Sequence, residues 1–468
     1  MFGTMTRWLG AGVICAVVTA MPAPSKAETL ADTLMEAYNH SGLLDQNRAL
    51  LRAADEDVAA IVSELRPILN WSADVTRNFG RSRTSGIARP ATETDMGVAL
   101  TLDLLLYDFG QTRYRIDAAK ESVLATRELL RSIEQQVLLR AVTAYLDVRR
   151  NGEFVALREN NLRLLRQELR AARDRFEVGE VTRTDVAQAE ARLAEAQSGL
   201  AAAQGELQQA IEEFRTAVGR APGNLRAPRA TPDLTNTVAE SRAIAVRNHP
   251  DMREAQHQVA AADLTILAAE AAMKPEIGLT GRAGLRESFD DDDFSRTGSF
   301  GVTVRGPIYQ GGLLSSAKRR AMAQRDARRG NLHVVRHRIS QDVGNAYAIL
   351  RAARAVQQSS REQVRAARVA FQGVREEAKL GARTTLDVLN AEQSLLDAQT
   401  NLISADTDVL IAAYRVLASI GQLTAKDLNL NVQTYDPAAY YNLVKDAPVP
   451  ISPQGEKLDR VLRALGKD

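Results

Sequence analysis

The segment VGEVTRTDVAQAEA, beginning at Val178, returns 202 positions later as LGARTTLDVLNAEQ, beginning at Leu380. Gly179, Thr182, Asp185, Ala189 and Glu190 recur as Gly381, Thr384, Asp387, Ala391 and Glu392. The same offset relates LLLYDFGQT, with Tyr107 and Gly110, to GPIYQGGLL, with Tyr309 and Gly312. A chain repeated at this spacing is two copies of one unit, and each copy must fold in a way that also lets it pack on the other.

From Gly110 to Gly179, and again from Gly312 to Gly381, each copy runs about 69 residues with almost no glycine, or roughly 100 Å of helix at 1.5 Å per residue. Leu162, Leu165, Leu169, Ala172 and Phe176 follow a 3,4 spacing that Val364, Ala367, Phe371, Val374 and Ala378 repeat. Ile116, Val123, Leu130, Val137 and Ala144 recur every seven residues, the period of helices packed in coiled-coil fashion. With aromatics at 5% and charged residues at 25%, the composition suits long helices with modest cores. A shorter helix is expected before each long one, over 30–66 up to Pro67 and over 237–274 up to Pro275. Another follows each repeated turn, over 183–219 and 385–421, with Thr182 and Thr384 at the N-cap and Asp185 and Asp387 in the first turn. Two short helices stacked end to end match one long helix, so each half reads as a two-column slab.

Between each proline and its Tyr-Gly motif the period changes to two. Leu69, Trp71, Ala73, Val75 and Phe79 alternate with polar residues, as do Val98, Leu100, Leu102 and Leu104. In the second copy Ile277, Leu279, Ala283 and Leu285 alternate, followed by Phe300, Val302 and Val304. Two hairpins are expected, over 68–109 and 276–309, with strands of about ten to twelve residues and polar loops from Gly80 to Asp95 and from Glu287 to Gly298. Strands apolar on one face and polar on the other suit a lipid-facing barrel with a wet interior. Four strands cannot close such a barrel, and an open edge in hydrocarbon leaves backbone groups without partners, so the strands must join those of other copies.

The first 27 residues have the layout of a secretory signal: Arg7, an apolar run from Trp8 to Met21, and Ser25-Lys26-Ala27 before Glu28, with cleavage expected near Ala27. The h-region is too short to span a bilayer. The single cysteine, Cys15, lies inside it, so the mature chain is expected to have neither thiol nor disulfide. Lys+Arg is 60 against Asp+Glu at 58, and removing Arg7 and Lys26 with the signal makes the mature chain neutral. A neutral exported chain is a poor candidate for binding nucleic acid.

The tandem halves, the GPIYQGG strand-to-helix junction and the paired VGEVTRTDV and LGARTTLDVLN turns resemble the TolC family of outer-membrane efflux and secretion channels. The resemblance covers the whole mature chain. It implies a mainly helical fold with a β-barrel: a homotrimer whose twelve strands form one barrel continuous with a periplasmic α-helical tunnel, each chain giving four strands and two long plus four short helices. The implied organisation is a signal over 1–27, a first repeat over 28–219, a linker over 220–236, a second repeat over 237–421 and an equatorial segment with a tail over 422–468. Implied partners are outer-membrane lipid, a periplasmic adaptor (membrane fusion) protein and an inner-membrane RND or ABC transporter that supplies the energy. The channel would be passive, with no cofactor and no enzymatic activity.

The resemblance puts the repeated turns at the periplasmic mouth. Val178, Gly179, Thr182, Leu380, Gly381 and Thr384 would form the adaptor-docking turns. Arg383 would be the cationic lock, Thr184 and Asp185 its partners, and Asp387 the acidic ring. Asn390 stands where a second acidic ring could lie, and Ala378 where an aromatic lock residue could lie. Tyr107, Gly110, Pro307, Tyr309, Gly311 and Gly312 would turn each hairpin into its long helix.

Other motifs have plainer readings. The run Asp290 to Asp293 lacks the glycine and terminal glutamate of a calcium loop and reads as a solvated loop. His333 and His337 sit at i, i+4, but arginines flank them and no third ligand is evident. The eight basic residues from Lys318 to Arg338 read as a solvated face. No phosphate loop or catalytic constellation is present in the sequence. The rival class is a soluble periplasmic coiled-coil adaptor, which would have no use for lipid-facing hairpins.

Overall fold

The computed structural model describes residues 28–84, 86–228, 231, 232, 234, 237–290, 292–450 and 452–464. The signal expected over 1–27, with Arg7, Cys15 and Lys26, lies outside the described residues. The first copy runs α1 (Leu30–His40), α2 (Gly42–Ser63), β1 (Ile68–Thr84), β2 (Ile87–Tyr107), α3 (Gln111–Glu177) and α4 (Arg183–Val218). The second runs α5 (Val238–Asn248), α6 (Pro250–Ala271), β3 (Glu276–Ser288), β4 (Phe294–Arg305), α7 (Leu313–Lys379) and α8 (Thr385–Ile420). Two short helices, α9 (Pro437–Val444) and α10 (Pro453–Ala464), follow. Corresponding helices have equal lengths: 11 residues in α1 and α5, 22 in α2 and α6, 67 in α3 and α7, and 36 in α4 and α8.

Duplicated glycines set these boundaries. Gly110 and Gly312 precede the long helices at φ 89° and 88°, and Gly219 and Gly421 close α4 and α8 at φ 94° and 87°, a left-handed region costly for other residues. The expected helix before each hairpin is broken once. Ser41 leaves the helix at ψ 103° and its Oγ accepts from the Leu44 amide, while His249 does so at ψ 133° ahead of Pro250. In each repeat the pair of upstream helices packs along the strand-proximal half of the long helix and the downstream helix along the other half, while α6 and α8 also pack on α3.

The seven-residue stripe Ile116, Val123, Leu130, Val137 and Ala144 is buried, as are Leu162, Leu165, Leu169 and Ala172. Phe176, the last member of its 3,4 series, is 46% exposed, because the buried seam ends before the turn. Opposite the long helices the contact residues are alanines at the same offset. Ala196, Ala203 and Ala210 are buried in α4, and Ala398, Ala405 and Ala412 in α8, allowing close approach of the backbones. The core is densest midway along α3, where Tyr145 is fully buried; its hydroxyl bonds the Glu28 carbonyl at 3.1 Å and lies against that of Arg226.

The four strands form one antiparallel sheet in the order β1-β2-β3-β4, with β1 and β4 as open edges. Its register sorts the two faces. The rungs Trp71–Leu100–Ala283–Gly298, Leu69–Leu102–Gly281–Phe300 and Leu104–Leu279–Val302 share one face. Asn70–Thr101–Arg282–Ser299 and Asp74–Gly97–Arg286–Ser295 occupy the other. The strands overrun the expected ends. β1 continues to Thr84 and β2 begins at Ile87, so most of the segment expected as a loop from Gly80 to Asp95 is a two-stranded ribbon, and the second turn is confined to 289–293. Beyond Phe79 the ladder continues while the apolar alternation of the sequence stops, so periodicity has nothing to register. Among the described residues, no helix is long and apolar enough to cross a membrane.

Half of the basic run of α7 is paired, and the rest, including Arg319, Arg320 and Arg336, is exposed as expected. Lys318 meets Glu270 at 2.8 Å, Arg325 and Arg329 meet Asp263 at 3.6 and 3.4 Å, and Arg338 meets Asp251 at 2.7 Å, all across to α6. His333 and His337 are exposed on the same helix. After α8 the chain enters the core around the middle of α3 through Leu423 and Ala425, where the Ala425 amide donates to Glu134 at 2.6 Å. It then climbs along α2: Tyr440 donates to Glu56 at 2.6 Å, and Arg66 donates to the carbonyl of Ala447 at 2.6 Å.

Candidate functional site

The ends of the molecule remote from the sheet are the two helix reversals. Gly179 and Gly381 take φ 83° and 75°, which lets the next amides turn back: Glu180 onto the Arg175 carbonyl and Ala382 onto that of Glu377, both at 2.9 Å. Each new helix starts with a complete capping box. Thr182 Oγ1 accepts from the Asp185 amide at 3.3 Å while Asp185 accepts from the Thr182 amide at 2.9 Å; for Thr384 and Asp387 the distances are 3.2 and 3.0 Å. The hydroxyl and amide of Thr182 hold Asp185 below the usual carboxylate range, and the amide and hydroxyl of Thr384 do the same for Asp387. Both acids are thus ionised well below neutral pH. Val178 and Leu380 stand at the tips, 71% and 87% exposed, where a monomer has nothing to cover them.

Arg383 does not meet Thr184 or Asp185 within the chain. Its Nε donates to Glu377 at 2.8 Å, across its own turn, and that contact raises its affinity for the proton. Thr184 is exposed. Ala378 lines a cavity of about 240 Å³ between α3 and the α7–α8 pair, with Gln167, Arg175 and Leu389 among its other walls.

Links between the two coils lie just behind the tip. Asn390 accepts from Arg192 of α4 at 3.2 Å. Arg375 reaches Glu168 of α3 at 3.5 Å. Glu392, only 3% exposed, accepts from Asn161 of α3 at 2.7 Å through Oε1, and its Oε2 has no partner. Burial is the main cause, and the neighbouring Glu168 the second, that pushes the Glu392 carboxyl up to about 7. Sequence reasoning missed this group because its counterpart is ordinary. Glu190 is an exposed acid paired with Arg173 at 2.6 Å, whereas the counterpart of that arginine, Arg375, turns to the other coil and leaves Glu392 behind.

At the other end, Tyr107 packs its ring on Phe109 with centroids 4.8 Å apart. Asp108 caps α3 by accepting from the amides of Gly110 at 3.0 Å and Thr112 at 2.6 Å. The second junction keeps the glycines, with Gly311 and Gly312 at φ 57° and 88°, while Pro307 is half-buried and Tyr309 is 87% exposed. On the polar face of the sheet Arg286 lies 3.3 Å from Asp95 and 3.9 Å from Asp74. In the second turn Asp290 accepts from the Thr94 amide at 2.6 Å; Asp291 lies outside the described residues.

Comparison with known proteins agrees with this geometry. Residues 34–220 and 243–422 match the family described as outer membrane efflux protein, one segment for each repeat. The chain is 37% identical over 424 residues to the outer membrane efflux protein BepC of Brucella suis, covering 90% of this chain and 91% of that one. It is 28% identical over 405 residues to the alkaline protease secretion protein AprF of Pseudomonas aeruginosa, covering 82% and 80%. It is 23% identical over 420 residues to the outer membrane protein TolC of Escherichia coli, covering 85% and 84%. Among solved structures the fold is similar to CusC at a TM-score of 0.74 and 20% identity, covering 84% of this chain and 91% of that one. It is also similar to the Campylobacter jejuni CmeC channel, again at 0.74, with 16% identity and 89% of each chain covered.

Proposed function

The chain belongs to the outer membrane efflux protein family, and from that premise we propose how this outer-membrane channel is built and worked. Several copies close one barrel through the open edges of β1 and β4, since four strands are too few and membrane barrels begin at eight; two copies would reach eight, and three, the number the family resemblance implies, give twelve. The observation that carries this reading is the register of the sheet, which puts the apolar rungs on one face, with Glu287 and Arg296 at its outer end, and Asp74, Asp95, Arg282 and Arg286 on the other. The first face meets lipid and the second lines a wet lumen. The long helices continue that lumen as a tunnel through the periplasm.

The tunnel is passive, and an inner-membrane transporter of RND or ABC type energises it through a periplasmic adaptor. The exposed Val178 and Leu380, on turns shaped by Gly179, Thr182, Gly381 and Thr384, offer that adaptor a docking surface. Arg383, Thr184, Asp185 and Asp387 form the periplasmic gate, with Asn390 and Arg192 tying one coil to the next behind it. Within one chain Arg383 is held by Glu377 rather than by Thr184 or Asp185, so the gate requires that link to form on assembly with neighbouring copies. The cargo is small molecules, proteins or both, as the names of BepC and AprF span efflux and protease secretion. A soluble adaptor is disfavoured by the one-sided sheet.

Fractionation tests the reading. A heat-modifiable oligomer in detergent-extracted outer membrane, conducting ions in a planar bilayer, is the expected result, and a soluble periplasmic species would overturn it.

A further inference from the structure

The two hairpins differ in height. β3 pairs with β2 only as far as Ser288 on Asp95, but β1 and β2 remain paired for eight further rungs, from Arg77–Thr94 to Thr84–Ile87. At about 3.4 Å per rung this ribbon extends roughly 27 Å past the second turn. It continues the strands away from the helices, so in the channel proposed above it stands at the outer leaflet and beyond.

Strand alternation gives the ribbon two unlike faces. Counting on from the lipid-facing Trp71 and Val75, the odd positions of β1 are Arg77, Phe79, Arg81 and Arg83, all exposed, with Phe79 at 84%. Among the described residues none of the three arginines forms an ion pair. Glu93 pairs in register with Asn78 and so belongs to the opposite face. Asp290 of the second turn approaches only the lowest rung, accepting from the Thr94 amide at 2.6 Å. Directly above an apolar band there is thus an aromatic ring among three guanidinium groups. Outward along β1 the order is Arg77, Phe79, Arg81 and Arg83, so guanidinium groups bracket the ring, a mixture suited to the boundary of acyl chains and headgroups, where aromatic girdles settle and arginine forks bind phosphate.

We propose that Arg77, Arg81 and Arg83, with Phe79 between them, bind the phosphorylated glycolipid of the outer leaflet against the outer face of each β1–β2 ribbon. This rests on the outer-membrane channel reading but assigns that channel a lipid site distinct from its gate. Phe79 sits at the acyl boundary, Arg81 and Arg83 engage phosphates on the saccharide beyond it, and Arg77, one same-face position deeper, extends its long side chain past the ring toward the same phosphates.

The test uses the full chain as a detergent-purified oligomer, immobilised and exposed to diphosphoryl lipid A in mixed micelles, with dephosphorylated lipid A and phosphatidylcholine as separate arms. Each arginine near an anionic lipid surface is worth about fivefold in affinity, so combined Arg77→Gln, Arg81→Gln and Arg83→Gln should lower lipid A retention by about a hundredfold. The matching triple change to lysine should lose far less. Retention equal to the parent in the glutamine variant, or equal retention of dephosphorylated lipid A, overturns the site. An oligomer that falls apart in phosphatidylcholine only when the arginines are replaced also overturns it, since the arginines would then be holding a neighbouring copy's acidic turn. Conductance in planar bilayers reads the conduit independently; its absence in the parent chain counts against the channel reading while the micelle experiment still judges the lipid site.

Discussion

Replacing Glu392 with glutamine isolates the one buried carboxylate behind the tip. A free glutamate titrates near 4.5, while burial beside Glu168 pushes Glu392 up to about 7. Below pH 4.5 the group is protonated whether or not the coils are packed, so packing carries no charge penalty. From pH 4.5 to about 7 the opened group ionises while the packed one keeps its proton, so the contact loses stability across that window and the loss levels off above it. The shift corresponds to about 3 kcal/mol per chain at pH 8, on the order of a hundredfold in local opening. Glutamine keeps an oxygen for Asn161, which now donates to Glu392 at 2.7 Å, and removes the charge. Amide hydrogen exchange over residues 158–170 and 386–398, corrected for intrinsic rates at pH 5 and pH 8, reads most of the effect. The parent should lose protection as the pH rises, whereas Glu392→Gln should stay flat and be better protected at pH 8. Identical pH profiles for the two proteins would refute the argument and imply that Arg375 neutralises the group in solution.

Val302→Arg puts a charge on the apolar rung with Leu104 and Leu279, costing ~2–4 kcal/mol at mid-bilayer. Thr303→Arg, on the polar face, should be far milder when assembled trimer in the outer membrane is quantified, and equal losses would contradict the two-face reading. Arg383→Ser should raise single-channel conductance in a bilayer without a pump, and Asp387→Asn should weaken cation preference; if neither changes, the mouth is built elsewhere. Ala405→Leu forces a larger side chain into a site only 2% exposed and should cost about 1–3 kcal/mol, seen as a lower melting temperature of the oligomer.

The architecture was legible because its largest features repeat. Gly110, Gly179 and Gly219 recur as Gly312, Gly381 and Gly421, and the heptad from Ile116 to Ala144 announces packed helices before any contact is known. Apolar alternation was readable only where a strand has an apolar face, so Gly80 to Asp95 looked like loop although most of its backbone remains paired. The segment after Gly421 carries little internal period because it packs on α2 rather than on itself. At the tip, the capping roles of Thr182 and Thr384 follow from local rules, while partner choice does not. Nothing in the repeat distinguishes Glu392 from Glu190 until Arg375 is seen to choose Glu168.

The equal lengths of the paired helices bear on how such a chain can evolve. One residue inserted into α3 alone would slide everything beyond it by about 1.5 Å and rotate it by about 100°, taking it out of step with α7, α4 and α8. Only insertions near a multiple of seven, made together in all four helices, preserve the seams. The reach of the helical part is therefore inherited in steps of roughly 10 Å rather than adjusted residue by residue. A lineage that needs a longer helical part gains it only by leaps, or makes up the difference outside this chain.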